Sequence, residues 1–158
     1  MGPGRRKAGV ALAVLLIAPA APAQAQAIEE SFGTPSGNIQ CLYYQAEGES
    51  PSLRCEIGEV SNALPPRPDD CELDWGNAFE ISVQSSRGER ICHGDTIATP
   101  TPRVIAYGET WARGGFTCRS TRQGLRCQNA RGAGFALSRA RQELFLGVSA
   151  PALSAAPG

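Results

Sequence analysis

Beyond residue 7 the chain contains no lysine, so every later positive charge is an arginine. It has one histidine, His93, and no Cys-x-x-Cys pair, which removes the usual zinc-ligand spacings. No nucleophile-elbow motif surrounds any serine. The longest apolar run, Val10 to Ala21, is broken by Pro19; a membrane-crossing helix needs about 20 apolar residues. The formal net charge is zero, and no nucleic-acid-binding fold is recognisable, which together argue against a nucleic-acid partner. No motif names a reaction.

The N-terminus has an evident assignment. Arg5, Arg6 and Lys7 precede the apolar run, and Ala21 to Ala27 supplies small residues at signal-peptidase spacing. Residues 1–27 are expected to be a secretory signal, cut after Ala25 or Ala27. No cysteine follows closely enough for a lipid anchor; the first is Cys41. The remainder is expected to be soluble, in the periplasm or outside the cell. Six cysteines in such a chain read as a disulfide framework. With the leader removed, about 130 residues remain, one domain's worth: residues 28–147, followed by an Ala/Pro-rich tail, 148–158, expected to be disordered.

Alternation sets the register. Folded between Arg122 and Gln123, the segment Phe116 to Asn129 places Cys118 opposite Cys127. Phe116, Cys118, Ser120, Leu125, Cys127 and Asn129 then share one face, with Thr117, Arg119, Thr121, Arg126 and Gln128 on the other. A second copy lies upstream. Ile39, Cys41 and Tyr43 face Leu53, Cys55 and Ile57, and Leu-Arg-Cys recurs at Leu53 to Cys55 and Leu125 to Cys127. The pattern implies bridges Cys41–Cys55 and Cys118–Cys127; elimination leaves Cys71–Cys92. Phe79, Ile81 and Val83, returning through Arg90 to Cys92, form an imperfect middle copy.

Turn signals separate these runs: Thr34-Pro35-Ser36-Gly37-Asn38, a proline-rich stretch from Asn62 to Asp70, and Thr99-Pro100-Thr101-Pro102. Short strands at this spacing predict an all-β fold, a disulfide-stapled antiparallel meander closed as a barrel or a sandwich. Ser138 to Leu146 is expected to be a short C-terminal helix, with a final strand as the competing assignment.

Candidate chemistry is sparse. His93 and Asp95 could orient each other as base and acid of a small hydrolase, although a histidine in an exposed turn is the simpler expectation. Asp69, Asp70, Glu72 and Asp74 offer oxygens to calcium, but Trp75 stands where an EF-hand needs glycine. Trp75 and Trp111 could stack a sugar. Acids dominate from Glu29 to Glu80 and arginines from Arg87 to Arg141. Arg119, Arg122, Arg126 and Arg131 form a candidate face for a carboxylate or phosphate, unless they pair with the acidic half.

The motifs Phe32-Gly-Thr-Pro-Ser-Gly-Asn-Ile-Gln-Cys41, Asp74-Trp-Gly76, Cys92-His-Gly-Asp-Thr96, Tyr107-Gly108, Phe116-Thr-Cys118, Gly124-Leu-Arg-Cys-Gln-Asn129 and Gly132-Ala-Gly-Phe-Ala-Leu-Ser-Arg139 occur in this order. As a set they resemble a family of exported bacterial proteins catalogued as a domain of unknown function. The resemblance implies an exported, disulfide-bonded domain and transfers no activity. The expected function is a non-enzymatic binding or cell-envelope-associated module, monomeric, with no cofactor or metal and an anionic extracytoplasmic ligand or protein as partner. The alternatives are the hydrolase at His93 and Asp95, or an inhibitor of a secreted enzyme presenting Ala46 to Ser52.

Overall fold

In a computed structural model, which describes residues 1, 2, 4 and 26–148, the cysteine registers are those the alternation implies. Residue 3, residues 5–25 and residues 149–158 lie outside the described residues, and with them most of the expected signal and of the expected tail.

Among the described residues eleven strands form two sheets, each built on an antiparallel meander. The first sheet holds β1 (Ile28–Gly33), β2 (Ile39–Gln45), β3 (Ser52–Ile57), β4 (Asp74–Ser82) and β5 (Glu89–His93), with short β6 (Arg103–Val104) added in parallel beside β1. The second holds β7 (Thr110–Arg113), β8 (Phe116–Thr121), β9 (Gly124–Asn129), β10 (Gly134–Leu137) and β11 (Gln142–Phe145). The two sheets face each other as a sandwich, which resolves the choice between sandwich and barrel.

One row of side chains in each sheet organises the core. In the first sheet Phe32 lies opposite Cys41, Cys41 opposite Cys55, and Cys55 opposite Phe79. In the second the order is Trp111, Cys118, Cys127, Phe135. These two rows, aromatic–Cys–Cys–aromatic, are stacked. Phe32 meets Trp111 at a centroid distance of 4.3 Å, and Phe79 meets Phe135 at 5.9 Å. Between them the Cys127 sulfur lies within 4.8 Å of both sulfurs of the Cys41–Cys55 bridge. All eight side chains are buried.

Two sequence expectations change here. The middle unit is not a third copy of the hairpin: β4 supplies Phe79 to the first row as β10 supplies Phe135 to the second. β4 also begins earlier than alternation suggests, because a bulge between Asp74 and Ala78 breaks its period. The segment expected as a helix forms β11, the competing assignment, paired with β10 from Leu137↔Gln142 to Gly134↔Phe145. Ser138 caps a tight turn instead, its hydroxyl accepting the Arg141 N–H at 3.0 Å.

Turns between strands fit where side chains would not. At the β7–β8 turn Gly114 and Gly115 both have positive φ, 55° and 89°, and a Cβ on Gly114 would strike the Tyr43 ring. Asn129 ties the sheets together. Its amide donates to the Ser82 and Ser85 carbonyls at 3.0 and 2.9 Å, while its oxygen accepts from Arg131 and Ala133. At the β1 edge Glu30 accepts the Trp111 indole N–H at 2.8 Å and pairs with Arg113 and, at 3.6 Å, Arg103. The indole bond, then Arg113 and Arg103, hold its carboxyl below the usual carboxylate range against the opposing effect of burial.

Two outcomes follow from this packing. The Cys71–Cys92 bridge spans 21 residues of sequence and Cys118–Cys127 spans 9; loop entropy alone favours the former by about 0.7 kcal/mol. Deleting both Cys118 and Cys127 sulfurs also opens a hole in the core, a cost of about 2 kcal/mol or more. Packing therefore wins: in non-reducing urea denaturation the Cys118→Ala/Cys127→Ala protein is the less stable, and the reverse order would show that the core contact contributes little. For Glu30 the folded pKa is depressed, so its stabilisation is present above the unfolded value near ~4.3. The stability gap between the native protein and Glu30→Gln is therefore full at neutral pH and closes as pH falls through the folded pKa. A gap that is constant from pH 7 to strong acid would contradict this.

Candidate functional site

β5 delivers His93 at its last position, buried, not in an exposed turn. From there residues 94–102 cross the outer face of the first sheet from the β5 edge to β6 at the opposite edge. Outward-facing side chains fasten this strap. Glu56 accepts the Thr96 hydroxyl at 2.6 Å and the Ile97 N–H at 3.2 Å. Arg54 bridges Glu56 at 2.5 Å and donates to the Asp95 carbonyl at 2.6 Å. Gln40 accepts the Thr99 N–H at 2.9 Å.

Within this latch His93 and Asp95 are not arranged as base and orienting acid. His93 Nδ1 lies 3.0 Å from the Asp95 backbone carbonyl, and Nε2 lies 2.8 Å from the Asn77 side-chain oxygen. The Asp95 carboxylate turns outward to Arg54 at 3.5 Å. The two imidazole nitrogens face these two oxygens, and among the described residues neither bonds a serine. The Cys-His-Gly-Asp-Thr motif is accounted for as a fastening: Cys92 to Cys71, His93 to Asn77, Asp95 to Arg54, Thr96 to Glu56.

The other candidates separate in space. The three Sγ atoms of Cys41, Cys55 and Cys127 form the lone convergent ligand group among the described residues, and all are oxidised; the acidic run Asp69 to Asp74 does not gather. Trp111 is core, whereas Trp75 is half-buried beside Pro65, so they form no common platform. The loop Ala46 to Ser52 is a short, largely exposed connection from β2 into β3.

The four arginines also divide. Arg119 and Arg126 are direct cross-strand partners on the outer face of the second sheet. Arg122 sits at the hairpin tip, its guanidinium 5.3 Å from the Tyr107 ring centre. Arg131 is at the far end, in the turn that follows β9. A third arginine joins the first pair instead. Arg119, Arg126 and Arg141 border a depression of about 360 Å³ whose lining includes Gly124, Ala136 and Ser138. Arg126 stacks on Phe145 at 3.8 Å, and Arg141 pairs with Glu143 at 2.5 Å. Among the described residues no carboxylate pairs with Arg119 or Arg126; from the acidic half, Glu56 pairs with Arg54, Glu30 with Arg103 and Arg113, and Glu59 with Arg139. The sequence placed Arg141 in a helix and so hid its approach.

Among the described residues no helix is long and apolar enough to cross a membrane. No curated protein and no solved structure matches the chain. A family model described as a family of unknown function (DUF6636) matches residues 10–145, and the chain belongs to that family.

Glu56 is the centre of the strap. Its side chain is 8% exposed and Arg54 is 16% exposed, so removing the carboxylate leaves a largely buried guanidinium without its main counter-charge. Glu56→Ala is expected to cost about 3 kcal/mol and to open residues 94–102 to limited proteolysis under conditions where the native chain resists. A strap that stays protected in that variant would rule out Glu56 as its fastening.

Proposed function

Starting from membership of a family without an assigned activity, we propose that this is a non-enzymatic, exported binding module that takes an anionic group between Arg119 and Arg126. The observation that carries it is their direct opposition with no carboxylate in ion-pair contact: Arg119 donates to the Thr110 hydroxyl at 3.4 Å, Arg126 stacks on Phe145, and Glu143 lines the same depression without pairing with either. Like charges facing each other across a strand pair destabilise a sheet, and a carboxylate or phosphate between them relieves that cost while receiving paired guanidinium donors. Beside the pair, Gly124 at the hairpin end and Ala136 on the far side of Arg126 keep the depression open towards Arg141. The hydrolase alternative has less support, since the nitrogens of His93 face the Asp95 backbone carbonyl and Asn77 and not a serine or the Asp95 carboxylate. Export is supported by the leader pattern in residues 1–27 and by the three disulfides.

Titration of labelled protein with galacturonate and with inorganic phosphate is the direct test, followed by nuclear magnetic resonance. Shifts are expected to centre on Arg119, Arg126 and Ala136 and to weaken with added salt. Arg119→Thr removes the opposed charge, so that variant gains about 0.5 kcal/mol of stability without ligand and loses the anion response. An undiminished response in Arg119→Thr would remove this site from consideration.

A further inference from the structure

The depression between the arginines does not stop at the hairpin tip. Thr121, Gln123, Gly124 and Ser138 line it, and the same four residues line a second hollow of about 430 Å³ at the loop end of the sandwich. That hollow is walled by the β1–β2 turn through Thr34, Ser36 and Asn38, and by Tyr107 and Arg122. Four motifs far apart in the sequence therefore meet around it: Thr34 to Ile39, Tyr107, Gly124, and Ser138-Arg139.

We infer that the two hollows are one trough and that its ligand is a linear acidic oligosaccharide, a chain of sugars carrying carboxylates. This rests on the anion-binding proposal above and names its ligand class. Three chemistries follow one another along the trough. Arg119, Arg126 and Arg141 supply charge at one end. Thr121, Gln123 and Ser138 supply hydroxyl and amide groups at the junction. Tyr107, 39% exposed, supplies a ring at the other end, with Arg122 stacked over it and able to meet a second carboxylate. A glycan offers the matching sequence: one charge per sugar, hydroxyls able to donate and accept, and an apolar ring face for an aromatic.

A dense polyanion matches less well. Glu143 lines the arginine depression, and Glu59 holds Arg139 at the second hollow at 2.7 Å. Both carboxylates repel a polyanion, most strongly one with charges as closely spaced as polyphosphate; a uronic-acid chain, with one carboxylate per sugar, carries its charges further apart. Polyphosphate is therefore disfavoured relative to a uronic-acid chain.

Calorimetry on the disulfide-oxidised protein separates these possibilities, with hexagalacturonate, galacturonate, cellohexaose and polyphosphate as probes. Hexagalacturonate is expected to bind more tightly than galacturonate, with cellohexaose and polyphosphate weaker than either acidic sugar. Tyr107→Ala is expected to weaken the hexamer about fivefold to tenfold, the worth of one aromatic contact, while leaving the monomer unchanged. Arg119→Ala/Arg126→Ala is expected to abolish both. Equal hexamer affinity in Tyr107→Ala and the native chain would overturn the trough, and tighter polyphosphate binding would overturn the glycan. In either event, monomer binding that still depends on Arg119 leaves the anion site standing; its absence removes both. Tyr107 is at the surface, and Tyr107→Phe, which keeps the ring, is expected to retain most of the hexamer affinity.

Discussion

Two disulfide bridges meeting across the centre of a sandwich fix almost everything else in this protein. Each closes a hairpin between residues directly opposite in register, so neither hairpin can slip. A one-residue slip would turn every core side chain outward, and here it would also require breaking a covalent bond. The flanking aromatics then align the sheets: Phe32 on Trp111 at one side, Phe79 on Phe135 at the other. A domain of this size buries a modest core, and the sulfurs occupy its middle.

The same constraint dictates the outer faces. Because Cys118 and Cys127 are partners, their neighbours Arg119 and Arg126 must be partners too. The equivalent step in the first sheet brings Leu42 opposite Arg54 and Gln40 opposite Glu56. The recurring Leu-Arg-Cys thus projects one arginine outward from each sheet, and the two meet different fates. Arg54 is covered, bonded to Glu56 and to the strap. Arg126 has only the ring of Phe145 and faces another arginine. One scaffold used twice gives one sealed face and one open one.

The legible part of the sequence was whatever repeats at period two under a cysteine constraint. Alternation placed Phe116, Cys118, Leu125 and Cys127 inside, and the structure buries all four. What escaped had a local signal that competed. The bulge before Ala78 conceals the start of β4. Ser138 followed by Ala140 and Leu144 imitates a capped helix, yet an edge strand forms because β10 offers it a row of backbone partners. Glu56 is polar and on the outward phase, so alternation assigns it to solvent; only the strap, a tertiary feature, buries it. The arginine site was half legible for the same reason. Register gave Arg119 opposite Arg126, while Arg141 arrives through the misassigned turn, and Arg122 and Arg131 belong to opposite ends.

Charge distribution shows how a chain of zero net charge can still present a cationic surface. The acids are concentrated in the first half, and the arginines they reach lie at the rims: Arg103 and Arg113 at Glu30, Arg139 at Glu59. The outer face of the second sheet is turned away from the first, and the two inner faces with their filled core lie between. Carboxylates of the first sheet therefore cannot reach Arg119 or Arg126 without leaving their own face. The sandwich separates charges that the sequence balances, and the separation follows from the disulfide register rather than from any excess of arginine. An anionic ligand would complete, on the second sheet, the neutralisation that Glu56 and Asp95 perform for Arg54 on the first.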